Sequence, residues 1–168
     1  MQRVRSERAA LVLVQKAATT GRHLSLGEIN KLMYFADKES LGVAGRSLTG
    51  ARYGAEENGP VVLELDDLVH GSAAFRLEGG RVLPGALLSG RLSRGDEAIL
   101  DSVWAKHGTR SFAEMSAFSH DSHEWRNRSK GIRLEDMLID VGYREDAAAE
   151  MAQELRYNQE IHDERALE

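Results

Sequence analysis

Cysteine is missing from the 168-residue chain. That absence excludes disulfide frameworks, thiol nucleophiles, dithiol redox pairs and Cys-ligated zinc or iron-sulfur centres. A reducing cytoplasm is the compartment this composition leads one to expect. Long apolar runs are missing too: Ala9 to Val14 near the start is far short of the roughly 20 residues a membrane span needs, and no cleavage-type segment follows it. The chain is therefore expected to be neither exported nor membrane-embedded. Phosphate-cradling loops of the Walker A or Gly-x-Gly-x-x-Gly type do not occur, nor does a Gly-x-Ser-x-Gly nucleophile elbow. Bound nucleotides and serine-hydrolase chemistry thus have no sequence warrant, and no cofactor is expected.

What is present suits one compact domain with a radius of gyration of about 15 Å. Hydrophobic residues make up 42% of the chain, ordinary for a core that needs no metal staple. Net charge is −5, and its placement says more than its total: residues 144–168 hold eight acidic and three basic residues, whereas residues 1–143 carry 19 of each sign. An acidic tail on a neutral body disfavours phosphate-backbone binding, which needs clustered Lys and Arg. It favours a basic protein partner. The natural division is 1–143 as the domain and 144–168 as an acidic helical tail.

Periodicity and caps predict a mainly α fold with a small β-hairpin. Leu11, Val12, Val14 and Ala18 mark a first helix over about 6–19, closed by Gly21. Ser25 and Glu28 have capping-box spacing ahead of Ile29, Leu32, Met33 and Ala36, one face of a second helix that Gly42 and Gly45 end. The glycine-rich segment 46–59 reads as an irregular loop with a short extended piece. Gly59-Pro60 then reads as a helix start, with Val61, Leu65, Leu68 and Val69 as the buried face. Phe75 to Leu77 and Arg81 to Leu83 flank Glu78-Gly79-Gly80 as a hairpin. Ser93 caps a helix that runs to Gly108, Ser111 and Glu114 repeat the capping box, and a polar loop over 119–131 precedes a short helix within 132–141. The alanine- and glutamate-rich tail is helical by propensity, with a thin apolar face of Ala147, Ala148, Met151 and Leu155.

Among chemical constellations, His120-Asp121-Ser122-His123-Glu124-Trp125 offers two histidines and two carboxylates to a divalent metal. It lacks the His-Glu-x-x-His spacing of zinc proteases, and a helix-terminal loop anchored by Trp125 explains it as well. A metal-dependent hydrolase using His120 and His123 is the alternative function. Helices one and two could form a helix-turn-helix, but Lys31 and Lys38 face Glu28, Asp37 and Glu39 on the second helix. Arg126, Arg128, Lys130 and Arg133 have a single aromatic among them, too few for a base-stacking platform. Glu64, Asp66 and Asp67 read as a solvated face.

Lys31-Leu32-Met33-Tyr34-Phe35-Ala36-Asp37, then Gly45-Arg46-Ser47-Leu48-Thr49-Gly50, Tyr53 and Gly59-Pro60-Val61 together resemble the Panacea domain of SocA-like antitoxins. The segment from Ser119-His120 to Trp125 is similar to a later Thr-His-x-x-x-Trp region of that family. Ala55-Glu56-Glu57-Asn58 departs from the more apolar and basic residues expected before Gly-Pro-Val. The resemblance covers roughly residues 5–140. It implies a helical core with a small sheet, and a non-enzymatic bacterial or phage-borne antitoxin that neutralises a cognate protein toxin. In some members the toxin is delivered to a protease. The expected partner-binding residues are Tyr53, Glu56, Glu57 and Asn58 in the glycine-rich loop and Trp125; no catalytic and no metal-ligating residue is expected.

Overall fold

The computed structural model describes residues 2–86 and 92–165. Its elements in chain order are α1 (Gln2–Thr19), α2 (Leu26–Ala44), β1 (Tyr53–Glu56), β2 (Gly59–Val62), α3 (Leu65–His70), β3 (Phe75–Glu78), β4 (Arg81–Pro84), α4 (Arg94–His107), α5 (Phe112–His120), α6 (His123–Arg126), α7 (Leu134–Asp140) and α8 (Glu145–Arg165). Helices dominate, as the periodicity predicts, and the strands form two separate antiparallel hairpins.

The organising element is α2, which is buried on nearly every side. Ser25 accepts from the Glu28 amide while the Glu28 carboxylate accepts from the Ser25 amide, so the capping box read from spacing is complete. The helix ends at Gly45, whose φ of 63° is open to glycine at little cost. Gly42 lies inside the helix instead of ending it. Ile29, Leu32, Met33, Ala36 and Leu41 are fully buried. They meet Ala10, Leu13, Val14 and Ala17 of α1, Leu100 and Val103 of α4, Met115 of α5 and Leu138 of α7 in one core. Lys31, Asp37 and Ser40 are buried on the same helix. A helix apolar all round belongs in an interior; one that also carries charges there must find partners for them.

Two expectations fail here. Gly59-Pro60-Val61 does not open a helix; it forms β2, paired with β1 in the register Tyr53↔Val62, Gly54↔Val61, Ala55↔Pro60 and Glu56↔Gly59. Gly59 takes φ of 104°, outside the helical region. Helix α3 begins only at Leu65, so Val61 belongs to the strand while Leu65, Leu68 and Val69 are its buried face. Among the described residues there are accordingly two hairpins of equal strand length where one was expected. The polar segment after α5 is likewise more ordered than expected: Ser122 caps the short α6, and a 3-10 turn follows over Arg128–Lys130.

The second hairpin docks by a bridge in which the Val82 amide donates to the Leu24 carbonyl at 2.8 Å. Helix α8 lies on α7 with Ala148 and Ala152 completely buried and Met151 and Leu155 partly so, while Ala147, expected on the same apolar face, is exposed. Arg156 pairs with Glu135 at 2.8 Å, and the Gln159 amide donates to the Gly50 carbonyl at 3.2 Å. The acidic tail is thus an integral wall of the described fold.

Candidate partner-binding site

Three residues of one α2 face, Lys31, Tyr34 and Asp37, organise everything around β1 and β2. Asp37 collects four donors: Ser47 Oγ at 2.9 Å, the Thr49 amide at 2.7 Å, Thr49 Oγ1 at 2.5 Å and Tyr53 Oη at 2.6 Å. The loop over 45–50 is thereby clamped onto α2, with Thr49 fully buried. A carboxylate that accepts this many hydrogen bonds is compensated for leaving water. Burial, followed by the Asp37 charge, pushes the Tyr53 hydroxyl well above its ordinary range, so it donates at any physiological pH.

Lys31, 1% exposed, donates to the Pro60 carbonyl at 3.0 Å. Desolvation lowers its pKa to about 8. One residue away, Asn30 Oδ1 accepts from the Val62 amide at 2.7 Å. These two side chains fasten β2 to α2. A side chain at Gly59 would place its Cβ 2.4 Å from Ser119 Oγ and 2.6 Å from Lys31 Nζ, so glycine is required there by close approach as well as by φ.

Tyr34, 1% exposed, donates to Glu124 Oε1. Burial first and the Glu124 charge second drive its pKa upward. Glu124 has no exposed surface, and Lys38 reaches it at 2.9 Å while also pairing with Asp140. The rings of Tyr34 and Tyr53 meet edge-on at 5.7 Å. α2, the 45–50 loop, the first hairpin and α6 therefore share one buried polar core.

The sequence-derived binding residues divide into two groups. Glu56, Glu57 and Asn58 are exposed at the tip of the first hairpin, and Ser116 Oγ holds the Asn58 carbonyl at 2.7 Å. Tyr53 is half-buried with its hydroxyl turned inward. Trp125 is 7% exposed, stacked on His120 at 4.4 Å with the rings 6° apart, and covered by the Arg128 guanidinium at 4.2 Å. Tyr53 and Trp125 thus stand behind the exposed tip rather than on it.

His120 and His123 are not brought together as ligands. The first lies against Trp125, its pKa lowered by desolvation and then by Lys31 and Arg128, whereas His123 Nε2 faces Asp136 at 3.4 Å. Among the described residues no group of three or more histidines and carboxylates could hold a metal ion. Glu64 pairs with Arg52 in solvent, and Asp66 and Asp67 are exposed on the short α3.

The four motif pieces, far apart in the chain, meet in this polar core. The family model described as antitoxin SocA-like, Panacea domain, matches residues 29–126, more than half of the chain. The chain belongs to this family. In this Panacea domain the matched stretch runs from within α2 to the end of α6; α1, α7 and α8 lie outside it. No curated protein and no solved structure matches the chain. Among the described residues, no helix is long and apolar enough to cross a membrane.

Glu124, Lys31, Asp37 and Thr49 carry this site but were not among the residues singled out for binding. The available signal was charge inside an apolar stripe: Lys31 and Asp37 fall between core positions of α2, where an unpaired charge is untenable. Beside the hairpin, a cleft of about 690 Å³ opens between Arg52, Tyr53 and Leu63 on one wall and Met137, Arg156 and Gln159 on the other.

Proposed function

We propose that the protein is a non-enzymatic antitoxin that binds and neutralises a cognate protein toxin, presenting Glu56, Glu57 and Asn58 as the contact and using Tyr53 and Trp125 to hold that contact in place. The observation that carries this reading is the pairing of the family match with an acidic hairpin tip mounted on a buried, hydrogen-bonded polar core. Binding residues concentrate on loops held by such scaffolds, and a carboxylate pair steers encounter with a basic partner. Neutralisation works by covering the toxin's active surface, with delivery of the bound toxin to a protease as a further step of the same role. The chemistry needs no cofactor and no nucleic acid, and the site of action is the cytoplasm.

Co-expression with the product of the adjacent reading frame tests this. Growth arrest by that product alone should be relieved by the chain, and the two should copurify. Relief by the Glu56→Lys/Glu57→Lys double variant equal to that of the unsubstituted chain would remove the tip from the contact. Failure of the unsubstituted chain to relieve arrest would sink the antitoxin reading.

A further inference from the structure

The first hairpin has one occupied edge and one open edge. In an antiparallel ladder alternate residues turn both backbone groups toward the partner strand, and those between turn them outward. Here the Leu63 amide donates to the Arg52 carbonyl at 3.0 Å, which sets the phase: residues 52, 54 and 56 face inward, and Tyr53 and Ala55 face outward. On β2 the outward groups are consumed by α2, the Pro60 carbonyl by Lys31 and the Val62 amide by Asn30. On β1 the outward amides of Tyr53 and Ala55 donate to no described residue, and their carbonyls accept from none. Toward the chain's earlier part the edge is closed, because Thr49 Oγ1 takes the Ala51 amide.

We propose that this β1 edge accepts an extended segment of the toxin by strand addition, a segment that carries a basic residue opposite Glu56 and Glu57 and an apolar side chain entering the cleft beside Tyr53. The inference rests on the antitoxin reading and specifies how its site grips. Open edges are templates for added strands, in which backbone hydrogen bonds supply affinity and alternate side chains supply selection. Both selecting elements are in place. At the tip stand two exposed carboxylates without an ion-pair partner among the described residues. Beside Tyr53 of β1 lies the cleft of about 690 Å³, lined across from it by Ile132, Leu134 and Met137 and by Arg156 and Gln159 of α8. An added strand would run about 5 Å from β1, into the mouth of that cleft.

Ala55→Pro isolates the edge. The substitution removes an outward N–H that the hairpin does not use, opposite a position already occupied by proline, so the melting temperature should stay unchanged. Affinity for the product of the adjacent reading frame should fall at least tenfold, while Ala55→Gly retains it. Hydrogen exchange on the unsubstituted complex gives an independent reading: the Tyr53 and Ala55 amides should become protected on binding. Unchanged affinity in Ala55→Pro, or unprotected Tyr53 and Ala55 amides in the complex, would overturn strand addition and leave the antitoxin reading standing. Absence of any binding by the unsubstituted chain would overturn both.

Discussion

Tyr53 reaches back from β1 to donate a hydrogen bond to Asp37 of α2 at 2.6 Å, and this contact ties β1 to α2 as Lys31 and Asn30 tie β2 to it. The same carboxylate holds Ser47 and Thr49, so it also fixes the loop that leads into the hairpin. Removing one donor leaves three, whereas removing the acceptor strands all of them. Tyr53→Phe should therefore cost about 1–2 kcal/mol, and Asp37→Ala about 3–5 kcal/mol. The double variant should cost less than the sum, as residues of one network do. Urea melts of the two single variants and the double variant check this.

Trp125 is closed in by His120 on one face and Arg128 on the other. Trp125→Ala should destabilise the fold by about 3–5 kcal/mol, the usual range for emptying a buried aromatic site. Its effect on toxin affinity, measured well below the melting temperature, should be smaller than that of the Glu56→Lys/Glu57→Lys double variant. A variant of unchanged stability that loses binding would instead put the indole in the interface.

Lys31 gives the protein a signature in alkaline solution. Its pKa in the fold is about 8, against about 10.4 in an unfolded chain. Between these values the unfolded chain holds the extra proton, so this group's contribution to stability rises with pH across that window and is flat below it. Lys31→Met should abolish that rise. Denaturant melts between pH 7.5 and 9.5 give the difference between the two proteins, in which the tyrosines common to both cancel; parallel curves would refute a desolvated ammonium at this position.

Loss of α8 should be felt first as loss of stability. Ala148 and Ala152 are completely buried, and truncation after Gly142 uncovers the α7 surface beneath them. The truncated chain should lose about 2 kcal/mol or more, a fall in melting temperature of about 4–8 °C. It should also bind its partner more slowly, with a flatter dependence of association rate on salt, because the −5 charge of residues 144–168 goes with the helix. Stopped-flow association at two ionic strengths reads the second effect separately from the first.

The sequence by itself determined the local elements whose signals are covalently close. The capping boxes at Ser25/Glu28 and Ser111/Glu114, the cap at Ser93 and the apolar stripes of α2 and α4 involve residues three or four apart, where helix geometry alone puts the groups in contact. The family-like pieces were legible as well, since they lie in short contiguous runs. Only the tertiary structure decided what those pieces do. Gly59-Pro60 has the local grammar of a helix start, and what makes it a strand is distant: Lys31 and Asn30, about 30 positions earlier, take the backbone groups that β2 turns outward. The histidines at 120 and 123 are near neighbours in sequence, yet one stacks on Trp125 and the other turns to Asp136 of α7. Partners of buried polar groups are chosen by packing across the chain rather than along it. The same reason hid the open edge of β1, which exists because α2 claims one side of the hairpin and no described residue claims the other.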